Sequence, residues 1–191
     1  MNTNMLISWS LVFFAFVLAL CLGKVSPWLK FIAMALGSAG DMCLAHYGIF
    51  GSMPFVMGAG FFALGHIFYI WAFFRGIKKN LFNPGFFMGL VAGLVFLLAM
   101  TVFFFFGERN VVMFCLSLCY GLIILFLCSV VFAYAYENKR SVISWLNVLG
   151  ILFFIFSDFL ISINISGGID FPMRGKLIWI FYPVGQLFLI I

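Results

Sequence analysis

Seven apolar stretches fill most of the chain, and short polar segments separate them. They lie near 6–23, 28–47, 53–75, 85–106, 110–136, 142–164 and 175–191. Each is about 20 residues long, the length at which an α-helix crosses the hydrocarbon core of a bilayer. Within them, apolar and polar residues do not alternate, as the strands of a transmembrane barrel would require. The breaks carry turn chemistry: "GKVSP", "YGIFGSMP", "RGIKKNLFNPG", "GERN", "ENKRS" and "SGGIDFPMRG". The pattern predicts an all-α fold: a single polytopic transmembrane bundle of about seven helices over 1–191, enclosing a buried polar cavity. No inter-helix segment is long enough for a soluble domain, and no internal repeat stands out.

Composition strengthens this reading. Of 191 residues, 66% are hydrophobic and only 8% charged, with 29 Phe. A water-soluble domain cannot hide that much apolar surface, so the bilayer acts as solvent. The formal charge of +5 comes from residues scattered over short loops. It forms no basic stripe, and no nucleic-acid partner is expected. Instead, the basic residues suit membrane topology and anionic membrane lipids. With the N-terminus outside, the cytoplasmic side holds Lys24, Lys30, Arg75, Lys78, Lys79, Lys139 and Arg140, and the outer side holds Arg109, Arg174 and Lys176. Because short cytoplasmic loops are enriched in Lys and Arg, the chain is expected N-out and C-in, in the inner membrane if bacterial. Trp28, Trp145 and Trp179 lie near predicted helix ends, where interfacial anchors gather. The N-terminus has no basic n-region, and Leu20 is too large to precede a lipoprotein cleavage at Cys21, so the first run is read as a retained helix. The five Cys lie inside apolar runs without a CxxC pair, which favours packing over disulfides or metal.

Against this background the carboxylates stand out. Asp41 in "GSAGDMCLAHYG" and Asp158 in "FFIFSDFLIS" fall inside predicted membrane helices. A charged side chain there costs about 2.5–3.5 kcal/mol on insertion scales and usually faces the bundle interior. Each Asp lies about six residues before the end of an outward-running helix, which places both roughly 9 Å below the outer end. Tyr182 has a similar depth on the seventh helix, with Gln186 one turn deeper on the same face. Ser38 lies three residues before Asp41, and Asn147 eleven before Asp158, each on its Asp's face. His66 and Tyr69 pair at i, i+3 on the third helix. Together these residues are expected to line one water-accessible cavity, with Ser38, Ser157 and Asn147 as supporting or helix–helix contacts. His46 and Tyr47 are expected at the interface, and Glu108, Glu137 and Asp170 in solvated loops. The Phe run 103–106 faces lipid or core. No His-x₃-His spacing, GxSxG elbow, phosphate-binding loop or mid-helix Lys is found, so neither a metal nor a cofactor is expected.

Three stretches taken together resemble the YhhN family. "SAGDMCL" (38–44) is similar to its helix containing Gly-Asp, and "GFFALGHIFY" (60–69) to its aromatic-rich helix bearing a His and a Tyr. "GILFFIFSD" (150–158) and "YPVGQ" (182–186) resemble its C-terminal Ser-Asp and Tyr–Gln segments. The resemblance implies a multi-pass membrane enzyme of the lysoplasmalogenase type, which hydrolyses the vinyl ether of a lysophospholipid to a fatty aldehyde and a glycerophospho-base. Asp41 and Asp158 match the family's motif carboxylates, and His66, Tyr69, Tyr182 and Gln186 its other polar positions. The resemblance also implies about eight helices, with a Lys-Pro pair opening an early one. Here seven are counted, and Lys24 and Pro27 are split in "KVSP", as though an N-terminal helix were missing.

Vinyl ether hydrolysis needs an acid to protonate the β-carbon and a carboxylate to steady the oxocarbenium ion or activate water. Two carboxyl groups sharing a low-dielectric cavity supply both without a cofactor. Three other classes fit the same residues: a proton-linked transporter or lipid-binding protein, a metal-dependent intramembrane lipid hydrolase, and a structural subunit whose Asp residues only join helices.

Overall fold

A computed structural model describes residues 3–45, 53–106, 111–167 and 172–191. It is all-helical over these residues: α1 (Thr3–Leu22), α2 (Val25–Ala45), α3 (Met53–Phe74), α4 (Pro84–Phe106), α5 (Val111–Glu137), α6 (Val142–Gly167) and α7 (Arg174–Ile190). By length and composition α1 to α6 can cross a membrane, whereas α7 has 17 residues with Pro183 inside it. Large apolar side chains cover the outer surface, Phe13 at 68% exposure and Val95 at 63% among them. In lipid this carries no penalty, because acyl chains are as apolar as a protein core.

With lipid outside, helices gain little by burying apolar surface against each other and must associate through close contact. The most closely packed pairs are α2/α3, α4/α5 and α6/α7, and glycine makes each approach possible. On α4, Gly85, Gly89 and Gly93 recur every fourth residue and face α5. A Cβ on Gly89 would sit 2.6 Å from the Cys128 carbonyl oxygen, and one on Gly185 2.9 Å from the carbonyl oxygen of Gly150. On α3, a Cβ at Gly65 would sit 2.9 Å from the Ala33 carbonyl oxygen of α2. Further contacts of α1 with α2 and α7, α3 with α5, and α5 with α6 close a circuit in the order α1–α2–α3–α5–α6–α7. Helix α4 stands outside it, against α5 and α6. Tyr69, Phe73, Ile124, Leu127, Ile151 and Phe154 fill the middle of the circuit.

Connections follow local rules. Gly23 ends α1 in a left-handed conformation (φ 58°), and its N–H bonds the Ala19 carbonyl at 3.0 Å. Asn83 caps α4: its Oδ1 accepts the Phe86 N–H at 3.1 Å, and its Nδ2 donates to the Ala133 carbonyl at 3.0 Å. Pro84, lacking an N–H, takes the first helical position.

Four expectations are corrected. Glu137 is not a loop carboxylate, though water still reaches it. It ends α5, half-buried, and accepts the backbone N–H groups of Lys78 at 2.8 Å, Lys79 at 3.0 Å and Asn80 at 2.8 Å, donors that the α3–α4 connection leaves without helical partners. Lys30 is not a loop charge. It lies in α2, 8% exposed, with Nζ 4.5 Å from the centroid of the Phe73 ring, a cation–π contact. Trp179 packs edge-on against Tyr182 at 5.8 Å, because that face of α7 points inward, while Trp145 remains exposed and donates to the Lys139 carbonyl at 3.1 Å. Of the cysteines only Cys128 is buried; Cys21, Cys115 and Cys119 are exposed free thiols on the outer surface. His46, Tyr47, Glu108, Arg109 and Asp170 lie outside the described residues, as do the side chains of 103–106.

Gly89→Ala is expected to lower the thermal midpoint in detergent micelles, at a cost of about 1–3 kcal/mol, because the Cβ meets backbone and cannot be accommodated by a rotamer change. Gly60→Ala, with nothing within 4 Å of the added carbon, leaves the midpoint unchanged or raises it. Glu137→Ala is expected to speed amide hydrogen exchange at Lys78, Lys79 and Asn80 at least tenfold, while the helix cores keep their protection.

Candidate active site

Each helix of the circuit contributes a polar side chain to its interior. Asp41 of α2 is buried at 8% exposure. Its Oδ2 accepts a hydrogen bond from Ser8 of α1 at 2.6 Å and another from the Tyr182 hydroxyl of α7 at 2.9 Å. With the Ser8 proton committed to Asp41, Ser38 donates to Ser8 Oγ at 2.6 Å. Asp158 of α6 is half-buried, and its Oδ2 accepts from the Tyr120 hydroxyl of α5 at 2.6 Å. The two carboxyl groups lie within electrostatic reach of each other, and Tyr120 and Tyr182 within reach of both.

The α3 residues complete the cluster. Tyr69 donates to Gln186 Oε1 at 2.8 Å, one turn along α7 from Tyr182. His66 is 3% exposed, and its Nδ1 bonds the Phe62 carbonyl. A carbonyl only accepts, so Nδ1 carries the proton. The imidazole ring stands edge-on to Tyr120 at 5.5 Å and to Phe154 at 4.8 Å.

The profile of the YhhN family matches residues 3–191, nearly the whole chain. The chain belongs to the YhhN family. No curated protein and no solved structure matches it.

In this YhhN-family chain, Asp41, Ser38 and Tyr182 join one hydrogen-bonded group, Asp158 lies near it, and Tyr69, Gln186 and His66 pack alongside. The Tyr182 hydroxyl is bound to Asp41 and the Gln186 carbonyl to Tyr69, so both residues hold neighbouring side chains in place. Asn147 is not part of the cluster. Its amide donates to the Phe188 carbonyl and joins α6 to α7, eleven residues or about 16 Å of helix rise from Asp158. Ser157 bonds the Phe154 carbonyl of its own helix at 2.8 Å. Among the described residues, no three His, Cys, Asp or Glu side chains gather as metal ligands do.

Two members of the cluster, Ser8 and Tyr120, are missing from the residues singled out in the sequence. Tyr120 sits inside an apolar run, away from the interface where membrane tyrosines usually gather, and that placement is the signal that could have found it; nothing in the local sequence marks Ser8.

Proposed function

We propose that the chain is a lysoplasmalogenase-type hydrolase, cleaving the vinyl ether of a lysophospholipid to a fatty aldehyde and a glycerophospho-base. The observation that carries this reading is the pair of carboxyl groups, Asp41 and Asp158, brought from two helices into one polar cluster within an apolar bundle. Membership of the YhhN family agrees with it. A vinyl ether is stable to base and opens by protonation at carbon. The reaction therefore needs one carboxyl group that carries a proton and one that opposes the cation formed. Tyr182 and Ser8 hold Asp41, Tyr120 holds Asp158, and His66, Tyr69 and Gln186 shape the wall beside them. A single-chain amphiphile suits this placement, since its tail can lie among the apolar helices while its ether reaches the carboxyl groups. A proton-linked transporter would use the same residues without forming aldehyde.

The protein purified in micelles is expected to release fatty aldehyde from lysoplasmalogen, detected by mass spectrometry, and to leave the saturated ether analogue intact, which has no double bond to protonate. Asp41→Asn and Asp158→Asn are each expected to lower kcat at least 100-fold. Full activity in either variant, or proton-linked uptake into vesicles with no aldehyde, overturns the reading.

We further propose the N-out, C-in orientation, with the Lys79 and Lys139 end in the cytoplasm and the carboxyl groups toward the outer leaflet. In sealed right-side-out vesicles a tag on the N-terminus is then expected to be cut by added protease, and one on the C-terminus to be protected; the opposite pattern reverses the assignment.

A further inference from the structure

The two carboxyl groups are bound differently. Asp41 is buried and takes two hydroxyl donors on one oxygen, Ser8 at 2.6 Å and Tyr182 at 2.9 Å. Asp158 is half-buried and takes one described donor, Tyr120 at 2.6 Å, on Oδ2. An ionised carboxylate only accepts hydrogen bonds, while a protonated one carries a donor on one oxygen. Two donors converging on Asp41, with Ser38 backing Ser8 at 2.6 Å, fit the ionised form. Both carboxyl groups take their described donors on Oδ2, so the difference lies in number and exposure: Asp158 has one described donor where Asp41 has two, and it keeps some exposure, which makes it the better place for an acid proton.

We propose that the two carboxyl groups enter the reaction in unequal roles: Asp158, steadied by Tyr120, gives the proton to carbon, and Asp41, gripped by Ser8 and Tyr182, starts as the carboxylate that opposes the cation and takes the proton of the attacking water. The assignment rests on the hydrolase reading above. The Asp158 proton passes to the β-carbon of the vinyl ether. The double-bond electrons form the new C–H bond, and the carbon bonded to oxygen becomes an oxocarbenium ion. Tyr120 then donates to a full carboxylate, and such charge-assisted bonds are shorter and stronger, so this contact strengthens as the proton leaves. Water adds to the cationic carbon and gives a proton to Asp41, forming the hemiacetal. On collapse, Asp41 returns that proton to the ether oxygen, the C–O bond breaks, and Asp158 takes the hemiacetal hydroxyl proton. Aldehyde and alcohol leave, and the site is restored with Asp158 protonated and Asp41 ionised. Water is the sole co-reactant, and nothing is oxidised or reduced.

Tyr120 is thus a positioning residue for the proton donor, and Ser8 for the carboxylate. Asp158 is faced by Tyr120 from α5, with His66 of α3 edge-on to that ring, and lies within reach of Asp41 from α2 and Tyr182 from α7. Asp41 is faced by Ser8 from α1 and by Tyr182, with Tyr120 further off, and Tyr182 has Tyr69 within its reach. Helix α4, packed on α6, has no titratable side chain between 84 and 106.

Profiles of kcat against pH for the wild type, Tyr120→Phe and Ser8→Ala test this, with thermal midpoints confirming that both variants fold. Removing a donor from a carboxylate makes it hold its proton to higher pH. Tyr120→Phe is therefore expected to lower kcat about tenfold, keep KM within about twofold, and move the alkaline limb upward by about one pH unit, leaving the acid limb in place. Ser8→Ala is expected to move the acid limb upward and leave the alkaline limb. Aldehyde formation with the two limbs exchanged, or with neither moved, overturns the assignment and leaves the hydrolase reading standing. A wild-type protein that forms no aldehyde overturns both. Should Tyr120→Phe fail to fold, a Ser8→Ala acid limb that stays put still overturns it.

Discussion

A carboxyl group inside a bilayer has no water to hydrate it, so another part of the protein must. Much of this bundle's arrangement follows from that demand. Asp41 on α2 is met by hydroxyls from α1 and α7, and Asp158 on α6 by a hydroxyl from α5. None of these three donors comes from the Asp's own helix. Each Asp is therefore a fastening between helices, and the two fastenings join five of the six helices in the circuit. Helix α3 is tied to α7 by the Tyr69 to Gln186 hydrogen bond. An apolar side chain would have faced lipid equally well, so these polar groups give every helix of the circuit a preferred rotation about its axis.

Such fastenings work only at short range. A serine side chain reaches little beyond its backbone, and Ser8 meets Asp41 because α1 and α2 pack side by side. Elsewhere glycine sets the separation. Gly150 and Gly185 bring α6 and α7 into backbone contact, which holds Tyr182 and Asp158 on neighbouring helices. Helix α4 shows the other use of glycine. Its stripe at Gly85, Gly89 and Gly93 lets it lie flush on α5, yet it adds no described side chain to the polar cluster. It buttresses α5, the helix that presents Tyr120, from the outside. Losing close contact between α4 and α5 is thus a route by which a distant residue can disturb Asp158.

The helices were legible in the sequence because a membrane imposes length as well as apolarity, and turn chemistry punctuates the spans: Asn83 of "NPG" caps α4 and Pro84 opens it. Most polar members of the cluster were legible for a related reason: in such an apolar chain, a mid-helix Asp, His or Gln needs a partner to be tolerated. What failed was the treatment of weakly polar residues. Ser8 looks ordinary in a membrane helix, and Tyr120 is set apart only by its distance from the interface. Asn147 misled in the opposite way. It shares a face with Asp158 but lies three turns away, where a backbone carbonyl of α7 already answers it. Glu137 and Lys30 escaped because nothing in the local sequence marks a carboxylate that will collect three backbone N–H groups, or an amine that will turn inward over a ring.

The two ends of the bundle divide their tasks. Toward Lys79 and Lys139 the interior is packed with Ala33, Phe73, Leu127, Val131 and Ile151, each 1% exposed or less. Lys30 rests against that packing with Phe73 beneath its amine. Toward the other end, the carboxyl groups and their hydroxyl donors replace the apolar filling, and Asp158 keeps part of its surface open. On the hydrolase reading a lipid's reactive end therefore reaches the carboxyl groups from their own end of the bundle or between helices, not through the basic end. At the Lys79 and Lys139 end, the carboxylate of Glu137 is held by backbone N–H groups. The described donors to Asp41 and Asp158 are hydroxyls. On the hydrolase reading, a carboxyl group held by hydroxyls passes its proton to substrate while those donors stay in place.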